Sequence, residues 1–180
     1  MVAIAAIGCS SSTPYTSFDP ATPCVTDGRF PGAYPDLEAR VPKQFDGRAP
    51  DQLDSGRNCS TVEMGTLAGH GVTEVHYAGG TWAYSANAGV TLALFTGPGL
   101  TAEWLGEWYE SGARGATNTR NITPTRPMIA GRQGYRLDTV NGDSNQVVIT
   151  WPSANGDAAY VLVAADVAAA KIDEALATFP

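Results

Sequence analysis

The chain predicts an α+β fold, an antiparallel sheet with helices packed on it, and three features of the sequence point there. Asn141-Gly142 and Asn155-Gly156 are dipeptides favoured by tight hairpin turns, and both sit between runs rich in β-branched and aromatic residues. From Thr101 onward the apolar spacing becomes helical. Beyond the last β-rich run, residues 166–179 carry a second amphipathic pattern able to cover a sheet. Hydrophobic residues make up 43% of the 180 and charged residues 16%, enough apolar content to bury a core and exclude a wholly disordered chain.

Taken in order, residues 10–23 are rich in Ser, Thr and Pro without apolar periodicity, and read as a disordered tether. Residues 24–35 hold Gly28, Pro31, Gly32 and Pro35 and read as irregular. Residues 35–41 suit a short helix, with Pro35 in its first turn and Pro42 ending it. A second helix is expected over 61–68, capped by Ser60 or Thr61, with Glu63 at its positive end and Gly69 or Gly71 after it. Residues 73–84 and 89–95 read as strands, broken by Gly79-Gly80 and Asn87-Ala88-Gly89.

Thr101 can cap a helix whose Trp104, Leu105, Trp108 and Tyr109 form a broad apolar stripe, with Glu103, Glu107 and Glu110 on polar positions and Glu110 paired to Arg114 one turn on. A three-strand meander follows at about 133–140, 143–151 and 157–165. In it Val147, Ile149 and Trp151 share one face, and so do Tyr160, Leu162 and Ala164. The closing helix over 166–179 has Asp166 as a cap and offers Val167, Ile172, Ala175, Leu176 and Phe179 to that sheet.

The formal charge is −7, from 11 Lys+Arg against 18 Asp+Glu, and no basic run is present. Nucleic acid and an anionic lipid surface are therefore disfavoured as partners. No stretch reaches the ~18 apolar residues of a spanning helix.

Residues 1–9 run Met-Val-Ala-Ile-Ala-Ala-Ile-Gly-Cys and turn polar at Ser10. The segment resembles a bacterial lipoprotein signal, in which a small residue, here Gly8, precedes a cysteine that is lipidated and becomes the mature N-terminus. The resemblance implies lipidation at Cys9, an extracytoplasmic location, and a membrane partner reached through that anchor. Ala6 stands where the family has Leu, and the charged region and most of the apolar region are missing, so 1–8 is read as the remnant of a signal truncated or begun too late. The other reading is an apolar terminus with an incidental cysteine. The chain then divides into a signal remnant (1–8), a tether (9–23) and one globular domain (24–180). Assigning Cys9 to lipid leaves Cys24 and Cys59 as an even pair, expected as a disulfide, with reduced inert thiols as the alternative.

The order strand, long helix, strands, terminal helix, with Gly131, Tyr135-Arg136-Leu137, residues 147–151 and Phe179, resembles the PsbP-like α/β/α sandwich. The likeness covers the last 80–90 residues, about half of the 180. That fold occurs in photosystem accessory proteins and small bacterial lipoproteins. Residues 35–42 are also similar to the opening of uncharacterised secreted bacterial proteins. Fold likeness alone assigns no activity.

Motifs for chemistry are sparse. The oxygen-rich run Asp138, Asn141, Asp143, Asn145 fails as a calcium loop, because Val140 and Ile149 stand at the third and twelfth positions. His70 and His76, the only histidines, have no zinc-like spacing with the cysteines. Neither a nucleophile elbow nor a phosphate-cradling glycine loop is present. Glu103 and Glu107 beside tryptophans read as a solvated helix face rather than a glycosidase pair.

No catalytic, metal or cofactor residue is therefore assigned. Trp82, Trp104, Trp108 and Tyr109 are the candidate lining of an apolar ligand groove, although an aromatic stripe is more often core. The expected role is a non-enzymatic, lipid-anchored binding or accessory protein of the cell envelope, taking a small apolar ligand or an envelope protein. Its rivals are an envelope hydrolase built around His70 and His76, and an interaction module of a larger membrane complex. A cluster of His, acid and hydroxyl groups in one pocket favours the hydrolase; a smooth apolar groove favours binding.

Overall fold

The computed structural model describes residues 15–179. The signal remnant, Cys9 and the first part of the tether lie outside the described residues. Among the described residues ten strands are formed: β1 (Gly28–Phe30), β2 (Gln52–Asn58), β3 (Val75–Ala83), β4 (Gly89–Thr96), β5 (Thr119–Thr125), β6 (Met128–Ile129), β7 (Arg132–Gln133), β8 (Tyr135–Asn141), β9 (Ser144–Pro152) and β10 (Ala159–Ala165). The helices are α1 (Pro35–Glu38), α2 (Thr61–Met64), α3 (Thr66–Gly69), α4 (Ala102–Gly115) and α5 (Ala169–Leu176). Eight strands form one antiparallel sheet in the order β1-β2-β3-β4-β10-β9-β8-β5, and β6 and β7 make a separate small hairpin.

Strand alternation sends apolar residues to both faces, and helices cover both. On one face Trp82, Leu92, Leu94, Ile149, Trp151, Tyr160 and Leu162 pack with Val41, Phe45 and the α5 residues Ile172 and Ala175, and with Phe179 beyond it. On the other, Leu105 and Trp108 of α4 and Met64 and Leu67 of α2 and α3 pack on Val75, Phe95, Leu137, Val148 and Val161. The expected faces of β9 and β10 are thus the observed ones, and the α+β class holds.

The meander forms close to the expected bounds, with Gln133 pairing Met128 in the β6–β7 hairpin so that β8 starts at Tyr135. Thr101 caps α4 through its hydroxyl, which accepts from the Trp104 N–H at 3.2 Å. Residues 28–30, read as irregular, form β1, and β3 runs unbroken through Gly79-Gly80, both of which pair with β2 and β4; three further elements depart from expectation. The helix over 61–68 breaks in two at Gly65, whose φ of 49° no continuous helix accommodates. Asp166 does not cap α5, which starts at Ala169; with φ at 45° its carboxylate instead accepts from Asn145 N at 2.8 Å and Ser144 Oγ at 2.7 Å.

The third departure is the tether. Over its described part, from residue 15, it is docked rather than free: Thr16 bridges Arg29 of β1, and Phe18 packs edge-on against Phe30 with ring centroids 5.2 Å apart. The buried Arg57 of β2 holds this strap, donating to the carbonyls of Thr22 (2.8 Å), Thr26 (3.2 Å) and Asp19 (3.3 Å), with its guanidinium 4.3 Å from the Phe18 ring centre. Cys24 and Cys59 are disulfide-bonded, which fastens the strap to the end of β2.

Candidate functional site

A cavity lined by polar side chains lies at one end of the sheet. The antiparallel register places His76 of β3 opposite Thr96 of β4. Gly97 and Pro98 continue from β4, Glu74 precedes β3, and Asp157 sits in the turn before β10. These six residues line a cleft of about 340 Å³, within the size range of small-molecule sites. Gly97 is required in its wall, since a Cβ there would lie 2.6 Å from the Glu74 carbonyl oxygen.

Within the cleft His76 Nε2 and Glu74 Oε1 are 2.6 Å apart, and the imidazole stacks on Tyr34 with centroids 4.4 Å apart and planes 18° from parallel. The Thr96 hydroxyl donates to the His76 carbonyl at 3.5 Å. Asp157 accepts from Ser153 Oγ at 2.7 Å and pairs with Arg40 at 3.1 Å, and these hydrogen bonds hold its carboxyl below the usual range. Both side chains of the His76–Glu74 pair are about a third exposed, so the pair is open to solvent.

His70 lies elsewhere, just after α3. Its Nε2 is 3.1 Å from Glu107 Oε2, and its ring stacks on Trp104 with centroids 4.5 Å apart. Glu103 is bound separately by Arg126 at 2.9 Å. The two histidines therefore belong to different sites, each tied to its own carboxylate.

The four aromatics expected to line one groove are not brought together. Trp82 is fully buried on the α5 side of the sheet, donating its indole N–H to the Arg48 carbonyl at 3.0 Å. Trp104, Trp108 and Tyr109 belong to the cluster on the other side, where Trp108 donates to the Glu63 carbonyl at 2.9 Å. The sheet stands between them, and the stripe on α4 is core. The Asp138 run is likewise occupied by an ion pair, with Arg136 bidentate on Asp138 at 2.7 and 2.8 Å. Among the described residues no group of three His, Cys, Asp or Glu is set to hold a metal ion, and no helix is long and apolar enough to cross a membrane.

Glu74, Thr96 and Asp157 were not singled out by sequence reasoning. The signal for Thr96 was present: pairing Ala83 with Gly89 across the intervening turn carries the register to His76 and Thr96. Asp157 reaches the cleft only because β10 returns beside β4, which local pattern does not encode.

Neither a protein-family model, nor a curated protein, nor a solved structure matches this chain.

Proposed function

We propose that the protein is a lipid-anchored, extracytoplasmic binding or accessory protein of the cell envelope, attached through Cys9, with its globular domain in the PsbP-like α/β/α class. The observation that carries the reading is the Cys24–Cys59 disulfide, a bond at home in oxidising compartments and rare in reducing ones. Helices on both faces of one antiparallel sheet, with the last helix over β9 and β10, support the fold assignment. The cleft gathers the kinds of group that favour the hydrolase rival, so the binding reading rests on the disulfide and the fold and not on the cleft. In it the Thr96 hydroxyl is 3.5 Å from the His76 carbonyl oxygen, and Asp157 is held by Arg40 and Ser153.

The test is to express the gene with a complete signal in a bacterial host, separate membranes from soluble fractions, and measure the mass of the N-terminal peptide. Membrane partitioning with diacylglyceryl on Cys9 is expected; a soluble protein with unmodified Cys9 sinks the reading.

One observation favours a second reading, an envelope hydrolase: the cleft does gather a histidine, two carboxylates and a hydroxyl. In that case His76, oriented by Glu74, draws a proton from water. Its test is hydrolysis of a panel of nitrophenyl esters by the wild type and by His76→Ala. Turnover above background that vanishes in a folded variant establishes it, and equal rates remove it.

A further inference from the structure

We propose that the strap over residues 15–26 is a redox latch on the cleft: opening the Cys24–Cys59 disulfide frees the strap, and with it the Tyr34 ring that holds His76. The inference goes beyond the binding reading and does not depend on Cys9. A chain of rings makes the connection. Phe18 of the strap lies 5.9 Å from Tyr34, centroid to centroid, and Tyr34 in turn stacks on His76 in the cleft wall. Arg57, which grips the strap carbonyls and faces the Phe18 ring, is also the cross-strand partner of His76 in the register of β2 and β3. Strap and cleft therefore meet at Tyr34.

The hold on the strap is uneven along its length. At its far end the Asp27 carboxylate accepts from the N–H groups of Cys59 and Ser60 at 2.6 and 2.9 Å, a hinge that needs no sulfur. Before that hinge most residues are exposed. Once the disulfide opens, what holds them is the Thr16 bridge, the Phe18 ring and the three bonds from Arg57. Those contacts must then offset the backbone entropy of about a dozen ordered residues, and each carbonyl that leaves Arg57 regains water. Tyr34 adds a bias toward opening. Its hydroxyl is buried with no hydrogen-bond partner among the described residues, a cost that ends when Phe18 leaves and the ring turns to water. Cys24 and Cys59 are only partly buried and the neighbouring Val25 is 86% exposed, so a dithiol reaches the bond. In the exchange the dithiol supplies two electrons and two protons and closes to its own disulfide, while the Cys24–Cys59 bond becomes two thiols.

The experiment is NMR of the full ¹⁵N-labelled chain before and after treatment with dithiothreitol, with reduction verified by thiol labelling. On reduction the order parameters of the strap amides are expected to fall from about 0.85 to below about 0.6. The ring resonances of His76 should move, while those of the chain's other histidine, His70, stacked on Trp104, should stay. Phe18→Ala should move the His76 resonances with the disulfide intact, and reoxidation of the wild type should restore them. The proposal is overturned if the reduced strap stays rigid, if the strap loosens while His76 keeps its resonances, or if Phe18→Ala leaves His76 unmoved. It is equally overturned if β9 and β10 lose their order on reduction, since the bond would then support the core rather than latch the strap. An unmodified Cys9 leaves each of these outcomes standing.

Discussion

The ring of Tyr135 fills the space that a side chain at Gly106 would need: a Cβ on Gly106 would lie 2.3 Å from Tyr135 Cγ. The absent side chain lets α4 settle onto β8, and the buried Tyr135 then reaches along the helix to donate its hydroxyl to Glu110. Glycine normally weakens a helix interior by about 1 kcal/mol relative to alanine.

Gly106→Ala is therefore expected to lower the melting temperature despite its gain in helix propensity, because overpacking of this kind costs about 1–3 kcal/mol. Calorimetry of Gly106→Ala, Tyr135→Ala and the double variant provides the check. The alanine at 106 should harm the protein far less once Tyr135 is gone. Additive losses would contradict the packing account.

Glu110 makes stability depend on acid. Burial alone raises its pKa, but hydrogen bonds from Tyr135 and Arg114 outweigh that and hold it below the ordinary 4.5. A carboxyl depressed in the folded state contributes stability that is complete above about pH 4.5 and is lost as pH falls through the lower folded value. The melting-temperature gap between wild type and Glu110→Gln should thus be constant near neutrality and shrink below pH 4.5. A gap that widens on acidification has the wrong sign for this mechanism.

The Cys24–Cys59 bond closes a loop with a sequence separation of 35. In the chain-entropy model such a loop contributes roughly 3–4 kcal/mol, so Cys59→Ser should lower the melting temperature by several degrees. Quantitative thiol labelling of both cysteines in untreated, denatured protein would show that the bond is not there.

Arg57 serves three carbonyls of the strap at once. Replacing it with Met keeps bulk and removes the donors, at a cost of about 2–3 kcal/mol. Hydrogen exchange should accelerate over residues 19–27 while β9 and β10 stay protected. Uniform acceleration across the sheet would mean that Arg57 supports the whole core instead.

Tryptophans should differ by place. Trp82→Ala and Trp151→Ala remove fully buried rings and are expected to cost about 3–5 kcal/mol. Trp104, half-buried under His70, should cost less. Denaturant midpoints of the three variants decide the order.

Legibility in the sequence followed the kind of burial each segment has. The β8–β9–β10 region was readable because Val147, Ile149, Trp151, Tyr160 and Leu162 alternate cleanly between Asn-Gly turns. β2 was not, because its interior is Asp54, Ser55 and Arg57, a polar run that reads as loop until its partners are known. β5, with residues TRNITPT at the sheet edge, buries too little to show a period. The aromatic quartet misled for a different reason: helical spacing on α4 and strand alternation on β3 each name a face, but nothing local says on which side of the sheet α4 crosses. The cleft was half visible, as a histidine in a strand with Glu74 two residues before it, whereas Asp157 comes from a chain reversal that only topology supplies.

The middle of the sheet is a late seam. Phe95 pairs with Ala159 and Gly89 with Ala165, so β4 finds β10 only after α4 and the whole β5–β9 region have been made. Contacts of such long sequence separation slow folding, since loop closure must precede their reward. A chain emerging from the ribosome accordingly carries the unpaired edge of β4, with Leu92 and Leu94, until β10 has been made. The native sheet cannot lock across its middle before residue 165 is available.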